Sequence, residues 1–274
     1  MGLHRMAYWE WGDPANPRVL VCAHGLTRQG RDFDTLARAL CGDYRVVCPD
    51  VVGRGRSGRL TNPLGYQVPQ YIADMVTLLA RLNAGSVDWV GTSMGALIGL
   101  GVAALSGSPI RRLVLNDIGP TIEAESLLRI GTYLGAPLHW RTLDEAADAM
   151  WAISTGFGPH TRAQWLALTE PQLIADGSGF KPRYDPAIAL PFGAATPEIA
   201  RASEALLWQA YDSLTLPTLL LRGADSDLLS HATAQAMTQR GPRARLVEFA
   251  GVGHAPTLVQ PDQVQVVRDF LLAP

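Results

Sequence analysis

An α/β fold built on a mostly parallel sheet is what this chain predicts, and three observations carry it. Short β-branched, apolar runs alternate with segments of helical period. The runs are apolar without alternation, as strands covered by helices on both faces must be. The alternation breaks once, over about a hundred residues of mainly helical character, far beyond the ~2–6 residue connections usual in such folds.

The expected strands are Val19–Ala23, Tyr44–Cys48, Val87–Val90, Leu113–Leu115, Thr218–Leu221 and Leu246–Phe249. Between them, Ile72, Met75, Val76 and Leu79 fall at i, i+3, i+4 and i+7, and Val264, Val267, Phe270 and Leu271 repeat the pattern near the C-terminus. Asp32 is placed to cap a helix over Phe33–Leu40, and Ser230 to cap one that follows it. The long helical stretch between Asn116 and Thr218 reads as an inserted subdomain. The expected division is a core of residues 1–118 and 213–274 carrying a helical lid of residues 119–212. That insert holds Trp140, Trp151, Trp165 and Trp208, with Tyr133, Phe157 and Tyr184. Its aromatics either form its own core or line a pocket beneath it, with Tyr133, Trp140 and Trp151 the first pocket candidates.

At 274 residues, 47% hydrophobic and 18% charged, the chain is long enough to bury a full core without metal or disulfide staples. Twenty-three basic residues against 25 acidic ones leave a net charge of −2, the wrong balance for a dedicated nucleic-acid binder. Cys22, Cys41 and Cys48 form no C-x-x-C pair, so neither a disulfide framework nor a zinc site is expected, and a reducing compartment fits. No signal-peptide pattern opens the chain, and Ala96–Leu105, its longest apolar stretch, is about half of what a bilayer requires. A cytoplasmic protein without membrane partners is expected; its oligomeric state is not written in the sequence.

The strongest chemical signal is Gly91-Thr92-Ser93-Met94-Gly95, set between the run Val87–Val90 and the small-residue apolar segment Ala96–Leu105. Strand, tight turn, helix is the context that makes G-x-S-x-G a nucleophile elbow, with the hydroxyl raised above the sheet edge. A serine hydroxyl needs a neighbouring base. His254, in Gly251-Val252-Gly253-His254-Ala255-Pro256, follows the last strand run and falls on the same edge. His24 begins His24-Gly25-Leu26-Thr27 directly after a strand and reads as a loop organiser, leaving the N–H groups of Leu26 and Met94 to hold an oxyanion. The third member should be a carboxylate after a strand, between serine and histidine in chain order. Arg222-Gly223-Ala224-Asp225-Ser226-Asp227-Leu228-Leu229 offers Asp227 first and Asp225 in reserve, with Asp117 the remaining alternative.

Gly53-Arg54-Gly55-Arg56-Ser57-Gly58 matches G-x-G-x-x-G letter for letter. A dinucleotide site needs a helix to start there. Pro63 and Gly65 follow instead, so only a turn is supported. No Walker loop, H-E-x-x-H helix or cysteine–histidine cluster is present in the sequence.

On these residues the chain resembles the α/β-hydrolase superfamily with a helical lid, over nearly its whole length. The resemblance rests on His24-Gly25-Leu26, on Pro49-Asp50-Val51-Val52-Gly53-Arg54-Gly55-Arg56-Ser57, on the elbow at Ser93 and on Gly251-Val252-Gly253-His254. The segments Leu113–Pro120 and Arg222–Leu229 look like a bacterial branch whose members include carboxylesterases and 3-hydroxybutyrate oligomer hydrolases. In that branch the acid of Ser-Asp-Leu-Leu corresponds to Asp227, whereas the wider superfamily's spacing puts it one residue earlier, at Ser226. Haloalkane dehalogenases and epoxide hydrolases of this fold carry aspartate at the elbow, where this chain has Ser93.

The expected function is hydrolysis of carboxylic esters of small or medium acyl chain through an acyl-enzyme. Ser93 is the expected nucleophile, His254 the base, Asp227 the orienting acid, and Leu26 and Met94 the oxyanion donors. No metal or organic cofactor is implied, and the partner is a small-molecule ester. Carbon–carbon hydrolysis, lactone opening and peracid formation on the same triad are the alternatives, and a non-enzymatic receptor of this fold the more distant one.

Overall fold

The six apolar runs pair side by side, and their alternate residues face opposite layers. The structure, a computed structural model, describes residues 2–193 and 197–274. Met1 of the expected core and residues 194–196 of the expected lid lie outside the described residues. The main sheet contains β1 (Ala7–Trp11), β2 (Val19–Ala23), β3 (Arg45–Asp50), β4 (Val87–Thr92), β5 (Ile110–Asn116), β8 (Thr218–Gly223) and β9 (Arg245–Phe249). Their spatial order is β1-β3-β2-β4-β5-β8-β9, and all pairings are parallel except that of β1 with β3.

The two-residue period of each strand divides the core. On one face Leu20 and Cys22 pack with Phe33, Leu36 and Leu40, and with Val264, Val267 and Leu271. These come from α1 (Asp34–Leu40), the turn before it, and α10 (Pro261–Leu272). On the other face Val19, Val21 and Ala23 meet α2 (Val68–Leu82), α3 (Met94–Ala103) and α9 (His231–Gln239). All three cysteines are free, so apolar burial, worth ~1.5–3 kcal/mol for each fully buried aliphatic side chain, holds the layers together.

Between β5 and β8 lie α4 (Ala124–Tyr133), α5 (Leu143–Ala152), α6 (Arg162–Thr169), the hairpin β6 (Leu173–Asp176) and β7 (Gly179–Pro182), α7 (Ala189–Gly193) and α8 (Pro197–Asp212). The hairpin departs from the expected helical character: a four-residue strand leaves too short a pattern to read. Here α5 and α6 bring Ala147, Trp165 and Leu168 into a small core of their own, and the Trp165 indole N–H donates to Ala147 O at 2.7 Å.

Two further differences from expectation have local causes. The strand β1 is a half-buried edge whose Trp9 and Trp11 alternate with Tyr8 and Glu10, so no continuous apolar run announces it. Asp32 does not cap α1. It pairs with Arg28 at 2.6 Å, and a 3₁₀ turn over Gly30–Phe33 leads into the helix. Ser230 caps α9 as its position suggests, accepting from the N–H of Thr233 at 3.3 Å.

Strand order places the site. The chain fills the sheet toward β3 and β1 on one side of β2 and toward β4, β5, β8 and β9 on the other. Connections leave in opposite directions at the β2–β4 boundary, which opens a crevice outside the carboxyl ends of these strands. Among the described residues no helix is long and apolar enough to cross a membrane.

Candidate active site

Ser93 follows β4 at that crevice. Its φ of 52° and ψ of −117° hold a non-glycine residue in a sparsely populated conformation. Such strain persists only where surrounding structure imposes it. A Cβ on Gly91 would overlap the carbonyl oxygen of Gly95, and one on Gly95 would overlap that of Ala23. Glycine at the two positions lets α3 press against β4 and β2. The buried Trp89 braces the turn by donating its indole N–H to Gly95 O at 3.1 Å. The Ser93 N–H donates to Asn116 O at 2.9 Å, tying the elbow to the end of β5.

His254 reaches the elbow from the loop after β9. Its Nε2 stands 3.0 Å from Ser93 Oγ and its Nδ1 2.7 Å from Asp117 Oδ2. An ionised carboxylate only accepts, so Nδ1 carries the ring proton toward Asp117 and leaves Nε2 free to accept from the serine hydroxyl. The Asn116 amide steadies this loop, donating from Nδ2 to Pro256 O at 2.7 Å and to Thr92 Oγ1 at 3.0 Å.

The structure corrects the expected acid. Asp117, fully buried at the end of β5 and held at φ 56°, accepts from Gly223 N at 2.9 Å, Ser226 Oγ at 2.7 Å and His254. Asp227 does not reach His254. Its side chain is half exposed and pairs with Arg129 Nη2 of α4 at 2.6 Å, while its carbonyl accepts from Ser126 Oγ at 2.6 Å. Asp225 is exposed, and its N–H is spent on Val252 O at 2.9 Å. The cause is side-chain direction in the loop after β8. Ser226 points inward to Asp117, and its two aspartate neighbours therefore face solvent. Because β5 and β8 are adjacent, in the register Asn116↔Leu221, a carboxylate at the end of either strand comes near the histidine. The legible signal was Asp117 itself, a charged residue directly after a buried strand.

His24 shows the organising role expected of it. It is fully buried, its Nδ1–H donates to Gly25 O at 2.7 Å, and its Nε2 accepts from Val51 N at 2.9 Å. Burial drives its pKa down to about 3, with the positive charges of Arg54 and Arg28 adding to the shift, so the ring is neutral across the physiological range. Gly25 O and the N–H of Leu26 belong to one peptide and point in opposite directions. Anchoring the carbonyl on His24 therefore aims that N–H away from the ring. Among the described residues neither the Leu26 N–H nor the Met94 N–H has an acceptor, which leaves both for a ligand at the positive end of α3. A Cβ built on Gly25 would lie 3.8 Å from Ser93 Cβ, which puts this loop against the serine.

The three aromatic candidates of the insert separate. Tyr133 is half-buried at the end of α4, near Arg129 and Tyr184, and burial pushes its hydroxyl pKa up. Trp140 exchanges backbone hydrogen bonds with Phe180 of the hairpin at 2.9 and 2.7 Å. Trp151 stacks edge-on against Trp165 with ring centroids 4.9 Å apart, inside the insert's own cluster. Among the described residues no hydrogen bond or ring contact links Trp140 or Trp151 to Ser93 or His254. The insert approaches the histidine loop elsewhere, where Gly156 O accepts from Gly253 N. No sequence signal marked that contact.

Comparison with known proteins agrees with this fold. Residues 20–265 match the model of the alpha/beta hydrolase family. The chain is 55% identical to the 3-hydroxybutyrate-oligomer hydrolase of Cupriavidus necator over 98% of its own length and 93% of that protein's. It is 28% identical to a pimeloyl-[acyl-carrier protein] methyl ester esterase of Xanthomonas campestris, covering 93% of this chain and 95% of the other. The crystal structure of an alpha/beta hydrolase from Novosphingobium aromaticivorans superposes with a TM-score of 0.84 at 35% identity, covering 99% of both chains. A parallel sheet with a strained serine at its switch point, matched by a family model across most of its length, places this chain in the alpha/beta hydrolase family.

Proposed function

We propose that the chain hydrolyses carboxylic esters through an acyl-enzyme on Ser93, with oligomers of 3-hydroxybutyrate as its substrate class. The single observation that carries the chemistry is the imidazole of His254 bridging Ser93 Oγ at 3.0 Å and buried Asp117 at 2.7 Å. The similarity to the Cupriavidus hydrolase supports the substrate class.

Ser93 Oγ attacks the ester carbonyl as His254 Nε2 takes the hydroxyl proton. The carbonyl oxygen becomes an oxyanion and meets the N–H groups of Leu26 and Met94. As the tetrahedral centre collapses, the C–O bond to the alcohol breaks and the imidazolium returns its proton to the departing oxygen. Water, deprotonated by His254, then attacks the acyl carbon; the bond from that carbon to Ser93 Oγ breaks, the imidazolium returns its proton to Oγ, and the hydroxy acid leaves. Asp117 holds Nδ1 protonated in the resting state and stabilises the imidazolium in both halves.

The insert of residues 119–212 acts as a lid that shapes the acyl pocket. In support, it leaves the sheet after β5, at the edge carrying Ser93, and it touches the His254 loop at Gly156. In a pocket of this kind one methylene is worth ~1–3 kcal/mol of discrimination. Tyr133→Ala is therefore expected to change the preferred ester chain length, whereas Trp151→Ala lowers the melting temperature and leaves that preference alone.

The central experiment labels the protein with a fluorophosphonate and compares turnover of 3-hydroxybutyrate dimers and trimers with simple p-nitrophenyl esters. One covalent group on the Ser93 peptide is expected, and Ser93→Ala should lose several orders of magnitude in turnover while keeping its fold. Label on another serine ends the reading. Cleavage of simple esters without the dimer or trimer ends the substrate assignment alone.

A further inference from the structure

Arg54 stands at the second position of the turn Gly53–Gly58, which carries no nucleotide-type helix and takes no part in the steps above. Its side chain is only 1% exposed, among the largest fully buried in the molecule. An arginine stays protonated in proteins, and a buried charge is ordinarily retained only against a counter-charge. Among the described residues no carboxylate lies within 4.0 Å of this guanidinium.

What it does touch is neutral. Nε donates to Leu26 O at 2.8 Å, and Nη1 donates to Val52 O at 2.8 Å and to Tyr71 Oη at 2.9 Å. Nη2 lies 3.7 Å from Met94 Sδ. The rings of Tyr71 and Tyr66 flank the cation, with centroids at 5.0 and 5.7 Å. Tyr66 in turn donates its hydroxyl to Asp185 at 2.7 Å. The field of Arg54 reaches His24, whose protonation it opposes.

Two of these contacts fall on Leu26 and Met94, the residues whose N–H groups face the forming oxyanion. With Gly25 O held by His24 and Leu26 O held by Arg54, both peptides flanking Leu26 are fixed. We propose that Arg54 is a positioning residue of the oxyanion hole. It locks the Leu26 peptide and sets an uncompensated positive charge behind the two N–H donors, where negative charge appears only in the transition state. This rests on the Ser93 reading above. Charge placed behind preorganised donors in a water-excluded site favours the transition state over bound ester, so it acts on kcat and leaves KM alone.

The test uses the full-length chain with Arg54→Gln and Arg54→Lys. The probes are a p-nitrophenyl ester, a trifluoromethyl ketone that forms a charged tetrahedral adduct with a serine nucleophile, and the corresponding non-reactive alcohol. Arg54→Gln is expected to lower kcat about 10²-fold with KM within about twofold, the scale of losing one oxyanion donor. Ketone affinity should fall in parallel with kcat/KM, and alcohol affinity should hold. Arg54→Lys, which keeps the charge but not the fork, should recover roughly a tenth of wild-type kcat. Since Arg54→Gln leaves three buried acceptors unmet and can fail to fold, a second readout uses the unaltered protein. The Arg54 Nε–H resonance should shift when the ketone adduct forms and stay in place with the alcohol. A wild-type kcat in both variants, a loss confined to KM or to esters bearing a free carboxylate, or an unmoved Nε–H resonance in the adduct overturns the proposal. A wild-type chain that forms no adduct overturns the Ser93 reading and this one with it.

Discussion

The end of β5 and the loop after β8 each present carboxylates at the same edge of the sheet, within one strand spacing of each other. They have opposite fates. Asp117 is fully buried and meets three donors, whereas Asp227 is half exposed and pairs with Arg129 on the surface. A carboxylate in water is screened and hydrated, and its hold on an imidazole is weak. Stripped of water and gripped by Gly223 N and Ser226 Oγ, the same group becomes a fixed charge at one ring nitrogen. The role of the acid therefore follows desolvation and the number of donors, and chain position matters only so far as it delivers these.

Replacing Asp117 is the strongest way to break this comparison. Asp117→Asn should lower kcat by about 10⁴, because the amide can favour the wrong imidazole tautomer. Steady-state kinetics beside a fluorophosphonate labelling rate would check it, and a mild effect would return the role to another acid. Ser226→Ala comes next. It removes one hydrogen bond to a charged group, worth about 1.5–3 kcal/mol, so kcat should fall about 10–100-fold if the loss is expressed in the barrier.

His24 is a second buried titratable group at this edge, and burial holds its folded pKa at about 3, well below the ordinary 6.5. The unfolded chain takes up this proton first, so the stability present above pH 6.5 is lost as pH falls toward 3. The loss approaches about 1.4 kcal/mol for each pH unit, or about 2 kcal/mol between pH ~6.5 and ~4.5. Urea unfolding at the two pH values should show that extra slope in the wild type and not in His24→Gln. Equal slopes would mean that the ring titrates freely in the fold. Asp227→Asn is expected to do least. Its ion pair is exposed on both sides, so stability should change by ~0–1 kcal/mol and kcat by less than about threefold. A loss near that of Asp117→Asn would erase the distinction between the two loops.

Much of the arrangement is legible in the sequence. The six apolar runs correspond to strands because a strand buried on both faces has no choice but to be continuously apolar. The residues around Ser93 read clearly because a nucleophile elbow needs glycine at the points where backbones touch. The β1 edge and the β6–β7 hairpin were not legible. Both are short or half-exposed, and partial burial places no strict demand on sequence. Trp151 and Trp140 were equally ambiguous, since an aromatic at a lid core and one at a pocket wall have the same composition.

The amino-acid sequence thus determined the layered sheet, the strained serine and the histidine loop, because each depends on local pattern: period, glycine spacing, and position directly after a strand. The tertiary structure alone decided which carboxylate meets His254 and what stands beside Leu26 and Met94. Asp117 and Asp227 are 110 residues apart in the chain, and Arg54 lies 28 from Leu26 and 40 from Met94. Burial, inward side-chain direction and the set of donors around a charge are properties of packed neighbours. They come into being only when β2, β4, β5 and β8 lie side by side.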